Sequence, residues 1–467
     1  MNHNSFRISL FILVIFVILL SVKVVLSANE TGNSEVSGIG IPEEDWTQMN
    51  TIVESIQLPS IPDQIYHLLD FGDVFELRDN VRPALQEAID QANSDGGGRI
   101  IVPAGEWLSK GPIHLKSSIE LHISEGAVLR FSEDAEDYLP QVLVRWEGTE
   151  AFNLSPLIYA YQASDIAITG GGTIDGNSEY GFGTWRPEQS QAQQSLRLKG
   201  AQGVPIYQRV FDPEHYLRPS MITFFGCNRV LLEGVTVIDS PMWVLHMIYT
   251  SHGVVRGVTV NSHRLNNDGI VLDSSEMFLV EGNRFTTGDD SVVIKAGRDQ
   301  DGWRVGRPSQ NIVIRNNYME GHNALAIGSE MSGGVRNIYM RDNELGNVRS
   351  AIYFKSNLDR GGYIEHVRVA NIDVDRARTL LHFNTNYHSH RGEHHPVRYR
   401  DFHVDNVRAN QVTRAIAAQG VSDKPIRDVF ISNMVVNHAE TAIDTSYVEN
   451  FNLINVMINS EPYGVQK

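Results

Sequence analysis

Cysteine is almost absent from this chain: Cys227 is the single one in 467 residues. A disulfide scaffold is therefore excluded, and so is any zinc site of the multi-cysteine type. Basic charge is scarce as well. Lys and Arg number 39 against 56 Asp and Glu, the formal net charge is −17, and no long basic run occurs. That balance argues against nucleic acid as a partner. What is present suffices for a core. With 42% apolar and 20% charged residues, the composition excludes disorder and collagen-like structure.

The N-terminus reads as an address. Arg7 precedes an apolar run from Ile8 to Leu20 that continues with little interruption to Leu26, and the small residues Ser27 and Ala28 follow. This is the layout of a signal peptide over residues 1–28, so the protein is expected to be secreted or periplasmic, without stable membrane association after cleavage. The rival reading is an uncleaved anchor, since the run approaches the roughly 20 residues needed to span. Residues 29–61 read as a polar linker, and residues 62–467 as one catalytic domain.

The first clear element lies at 80–93. Val81, Ala84, Leu85, Ala88 and Ile89 share one helical face, Asp79 or Asn80 can cap the start, Pro83 suits the first turn, and Gly96-Gly97-Gly98 ends it. A strand is expected at 99–102. Beyond it, short strands are punctuated by Gly, Asn and Asp. Nine segments align, beginning at Asn228, Ser251, Glu276, Gln310, Arg336, Glu365, Arg400, Arg427 and Glu449, with spacings of 22 to 35 residues. Each alternates apolar and polar residues, turns through Gly or Asn, and resumes an apolar strand. One such unit cannot bury its own inner face, but stacked units share a continuous core. The leucine pattern of leucine-rich repeats is missing, and a propeller blade needs four strands in about 40 residues or more. The pattern predicts an all-β chain, a right-handed parallel β-helix. Asn ladders are expected at its turns, and the helix at 80–93 should cap its N-terminal end.

Acids recur on the trailing half of successive units. Asp268 follows Asn266-Asn267, Asp289 and Asp290 follow Gly288, and His322 and Lys355 come in the next two units. Stacking at about 4.8 Å per coil would gather them into one patch. Three carboxylates there would repel and raise at least one pKa, which suits glycoside hydrolysis by an acid and a base. Asp and Asn are also ordinary turn residues, and clustered carboxylates could instead bind calcium.

Asn266-Asn267-Asp268, Gly288-Asp289-Asp290, Gly321-His322 and Lys355, in this order, resemble the four signatures of the polygalacturonase family, glycoside hydrolase family 28. The segments 138–140, 145–148, 155–160, 216–220 and 326–337 resemble its bacterial exo-acting branch, and the likeness runs from about Asp70 to the C-terminus. The resemblance implies a right-handed parallel β-helix and inverting hydrolysis of a pectic or other acidic polysaccharide, without metal or other cofactor. It makes Asp289 the general acid and gives water activation to Asp268 with Asp290. His322 would tune the acid, and Lys355 would hold a substrate carboxylate alongside Asn266, Asn323 and Tyr353.

Three positions depart from the family pattern. Tyr353 stands where Arg usually precedes Ile-Lys, Asn323 replaces the Gly after the histidine, and Val271 replaces an acid. Tyrosine cannot grip a carboxylate with two parallel donors as arginine does. It is expected to stack on sugar instead, to weaken the hold on plain galacturonan, and to yield a gain when changed to arginine. Rhamnogalacturonan, a substituted galacturonan or a less charged glycan are the alternative substrates, and a non-catalytic carbohydrate-binding β-helix is the alternative class. His388, His390, His394 and His395 crowd one loop and read either as solvated or as metal ligands. The segment 179–218 breaks the repeat and could wall a cleft, with Trp185 either packing or stacking on sugar.

Overall fold

In the computed structural model, which describes residues 40–388 and 392–467, the aligned segments are successive coils in parallel register. Asn228 lies opposite Ser251, Ser251 opposite Glu276, Glu276 opposite Gln310 and Gln310 opposite Arg336. The series continues through Glu365, Arg400 and Arg427 to Glu449. The signal-peptide reading falls on 1–28 and the first part of the expected linker on 29–39, both outside the described residues, as is His390.

Two corners shape each coil. The second residue of every aligned segment is left-handed, from Arg229 (φ 54°) to Asn450 (φ 51°), and so is the seventh. The seventh is Gly in the first three coils (Gly234, Gly257, Gly282) and Asn or Asp in the other six. These are the residue types for which a left-handed backbone is cheap. Between the corners, the third and fifth residues point inward, as with Phe278 and Val280 or Ile312 and Ile314, all fully buried. Gly253 takes one inward position because the Phe278 ring of the next coil fills its space: a Cβ there would come within 2.0 Å of that ring.

Side-chain ladders tie the corners together. Asn283 donates to Asn317 Oδ1 and Asn317 to Asn343 Oδ1, each at 2.9 Å and buried. A second column passes backbone N–H groups to the hydroxyls of Thr250, Ser275 and Ser309. Here the lone Cys227 simply starts a column.

The array begins earlier than the aligned segments. Strands Gly98–Val102, Ile119–Ile123 and Ser164–Thr169 pair in the same manner and lead into Asn228. Two insertions separate them in sequence: an antiparallel hairpin of Val142–Trp146 with Thr149–Asn153, and the segment 179–218. The expected capping helix is present as Arg82–Ser94, burying Ala84, Leu85, Ala88, Ile89 and Ala92. At the other end, an antiparallel pair of Val456–Ile458 and Glu461–Tyr463 closes the stack.

One expectation is corrected. The stretch 29–61 is not linker throughout, because Glu43–Ser55 forms a helix, α1, with Met49 and Ile52 buried. It packs on Val254, Leu279, Val313 and Tyr339, the fourth residues of four successive coils. Polar composition concealed a single apolar stripe. No helix among the described residues is long and apolar enough to cross a membrane.

Candidate active site

Asp268, Asp289 and Asp290 come together with Lys355 on the lining of one cavity. Two loops present them. Asn267 pins the first, accepting from Ser262 Oγ and Arg264 N and donating to the carbonyls of Ser240 and Met242, all at 2.8–3.0 Å. The second turns at Gly288, where a Cβ would meet the backbone of His263 and Arg264 at 2.2–2.3 Å. Only glycine lets these two loops touch. The carboxylates that follow are fixed in turn: Asp290 Oδ2 accepts from Lys355 Nζ at 2.7 Å and its Oδ1 from Asn323 Nδ2 at 2.8 Å. Asp289 Oδ1 accepts from the Asp290 N–H at 3.0 Å.

His322 reaches Asp289 from the next coil, with Nδ1 3.6 Å from Oδ1, beyond hydrogen-bond length. Arg349 Nη1 donates to His322 Nε2 at 3.0 Å, which leaves the imidazole proton on the nitrogen that faces Asp289. The charges are unequal across the acids. Burial pushes the Asp268 carboxyl well above the usual carboxylate range, and the neighbouring Asp289 charge adds to the effect. Burial also opposes ionisation of Asp289, but His322, Lys355 and Lys295 outweigh it and bring this carboxyl to about 2. Of these two neighbouring carboxyls, Asp268 is therefore the one that holds a proton more readily.

Two residues expected to hold substrate are occupied within the protein. Asn323 is buried and spends its amide on Asp290. Tyr353 is 6% exposed, with its ring flat against His382 at 4.3 Å and Asn384 donating to its hydroxyl. His382 has taken the stacking partnership expected of a sugar. Val271 joins Val293, Ala326 and Trp243 in the apolar floor beside Tyr353. Asn266 does line the cavity, and its Oδ1 accepts from Arg218 at 2.7 Å.

Asp289, Asp290 and His322 are, among the described residues, the one group of three acidic or imidazole side chains with ligand atoms within 4.8 Å of one another. A divalent ion fits them poorly. The Lys355 ammonium already sits on Asp290, and Arg349 takes the outer nitrogen of His322. Among the described residues, the histidines of the crowded loop do not gather either. His388 lines the cavity, His394 pairs with Asp423 at 2.8 Å, and His395 packs edge-on to Trp303. Trp185 packs against Phe182 and Tyr216.

Several cavity residues carry no short motif. Lys295 is buried, 2.9 Å from Glu330 and 3.8 Å from Asp268, over the Trp243 ring. Burial opposes the Glu330 charge, but Lys295, Arg298 and Arg360 hold its carboxyl well below the usual range. Glu147, from the hairpin, pairs at 2.6 Å with Arg197 of the helix Ser190–Ala201, α2. The insertion thus walls the cavity, which opens past Arg197 and Arg298 into a chamber of about 420 Å³ lined also by Arg186 and Arg360. The signal for Lys295 was a lysine closing the apolar run of the strand Val292–Lys295, as Lys355 follows the apolar run that ends the strand Val335–Lys355.

A crystal structure of a hyperthermoactive exopolygalacturonase from Thermotoga maritima matches with 36% identity and a TM-score of 0.86, covering 90% of this chain and 97% of that one. A Vitis vinifera protein named "Probable polygalacturonase" is 28% identical over 84% of this chain and 78% of its own length. An exo-poly-alpha-D-galacturonosidase of Dickeya chrysanthemi is 24% identical over 81% and 69%. The model of glycosyl hydrolases family 28 matches residues 99–456. That span includes every acid, lysine and histidine of the cavity, and the protein is a glycoside hydrolase of family 28.

Proposed function

We propose that this hydrolase removes galacturonosyl units from the chain end of a pectic polysaccharide, with inversion, after export from the cell. The observation that carries the reading is the cavity itself. Three carboxylates lie beside Lys295 and Lys355, and α2 with the hairpin closes one end, leaving the arginine-lined chamber to take a terminal acidic sugar. An open groove would suit internal cleavage, whereas a blocked one selects ends. The Thermotoga and Dickeya relatives, both named as exo-acting, support the same reading.

Two carboxyls are required for inversion, one protonating the leaving oxygen and one activating water across the ring. In the first assignment Asp289 is the acid and Asp268 with Asp290 the base. Asp289 is the least buried of the three and so the best placed to meet a glycosidic oxygen. A second assignment exchanges Asp268 and Asp289, and the upward shift of the buried Asp268 carboxyl against the downward shift of Asp289 favours it. Aryl galacturonides decide between them. The variant lacking the acid keeps activity on a good leaving group and loses it on the polymer, while the variant lacking the base loses both. Product analysis on galacturonan, rhamnogalacturonan and neutral polysaccharides tests the substrate. Monomer or dimer from the first reaction times is expected, with the inverted anomer by NMR. Mixed long oligomers would remove the exo reading, and N-terminal sequencing of exported protein tests cleavage near Ala28.

A further inference from the structure

Asp289, His322, Arg349 and Arg378 occupy one register position on successive coils. The Arg349 N–H donates to the His322 carbonyl, and Arg349 and Arg378 are bracketed by the pairs Val348–Ala377 and Ser350–Thr379. The neighbouring row runs from Asn323 through Ser350 and Thr379 to Arg414. At about 4.8 Å per coil, Arg349 stands about 10 Å and Arg378 about 14 Å from Asp289 along the helix axis. Arg349 and Arg378 are exposed and Arg414 is half-buried. In a chain of net charge −17, none of the three has a carboxylate partner among the described residues, whereas Arg398, Arg400 and, on the next coil, Arg427 each have one.

We infer that Arg349, Arg378 and Arg414 form an anion track that binds carboxylates of a polyuronate chain on the side of Asp289 away from the arginine-lined chamber. The inference rests on the hydrolase reading above and deepens it, by locating the part of the substrate beyond the cleaved bond. It also answers a chemical difficulty. The guanidinium expected at 353 is absent, and a tyrosine buried against His382 cannot replace it. Three guanidiniums, Arg349 on the coil of Tyr353 and Arg378 and Arg414 one and two coils further on, restore two-pronged donors for carboxylates. Their field is felt locally: besides burial, the charges of Arg414, Arg349 and Arg378 hold the His382 imidazole down to about 4, so it stays neutral beneath the track.

Binding without turnover tests the track. In an Asp289→Asn background, affinity for polygalacturonate is compared before and after Arg378→Gln with Arg414→Gln. Arg349 is left intact because it touches His322. The pair of changes is expected to weaken polymer binding about tenfold or more, flatten its salt dependence, and leave digalacturonate binding unchanged. Arg378→Lys with Arg414→Lys should recover part of the loss, which separates charge from folding. Unchanged polymer affinity, or an equal loss on dimer and polymer, overturns the track. Failure of the wild type to hydrolyse any galacturonide would overturn the functional reading alone, because this assay needs no turnover.

Discussion

At the scale of single residues, the site is a contest between burial and neighbouring charge, and its outcome differs for each acid. Asp268 is buried with its nearest ammonium 3.8 Å away, so its carboxyl is raised. The sign of the stability effect follows. The unfolded chain releases this proton at lower pH than the folded chain does, so the group costs stability as pH rises towards its folded pKa. Asp268→Asn is therefore expected to raise the melting temperature at neutral pH, to lose that gain in acid, and to abolish polymer hydrolysis. Thermal melts across a pH series with parallel rate measurements check all three. Asp289→Asn should lower turnover about 10²–10⁴-fold. The folded chain holds this carboxyl at about 2, below its unfolded value, so the change should also lower the melting temperature at neutral pH, with the difference shrinking in acid. Position 353 shows where sequence reading ended. The absence of arginine was legible, but not that the tyrosine ring lies flat on His382 in the next coil, 29 residues later. Tyr353→Arg would bury a cation beside Lys355 without a carboxylate of its own. The expected result is a lower melting temperature and no gain on galacturonan, the reverse of what the motif comparison suggests.

At the scale of elements, the coil was legible because one of its two corners, at the seventh position, takes residue types that favour a left-handed backbone at a fixed offset. Gly, Asn and Asp at the seventh position of each segment gave the register directly, and every aligned start proved to be a true lateral neighbour. The second corner was hidden, since Arg229, His252 and Met277 adopt it despite their residue type. Insertions were hidden too, because a hairpin and a helix carry no repeat to align. Yet they bring Glu147 and Arg197 to the cavity. Among the ladders, Asn317 is the middle rung: its amide serves Asn283, Asn343 and the carbonyls of Val280 and Arg315. Asn317→Ala strands several buried groups at about 1–3 kcal/mol each. A marked fall in the denaturant midpoint is expected, with the acid loops, which hang from other columns, keeping their activity per folded molecule.

At the scale of the molecule, a stack whose coils touch only their neighbours gains cooperativity from anything that crosses several at once. α1 is such an element. Its 13 residues rise about 20 Å, the thickness of about four coils, and its contacts climb through Val254, Leu279, Val313 and Tyr339. Asp45 ends the clamp on Arg368 at 2.7 Å and His366 at 3.2 Å, both on the following coil. This helix was invisible in the sequence because one buried stripe of Met49 and Ile52 sits among polar and acidic residues. Burial of these two side chains contributes about 1.5–3 kcal/mol apiece, and the charged hydrogen bond from Arg368 a similar amount. None of these residues lines the cavity of the acids. Met49→Ala with Ile52→Ala should therefore lower the unfolding midpoint and broaden the transition, as coils held in common begin to open separately. Asp45→Asn should lower the midpoint less, because Arg368 keeps Asp401 at 3.0 Å. Turnover below the transition should be unchanged in both. Calorimetry beside initial rates gives the answer: a sharp transition at an unshifted midpoint would deny α1 its clamping role, and a loss of turnover at unchanged stability would tie it to the cleft instead.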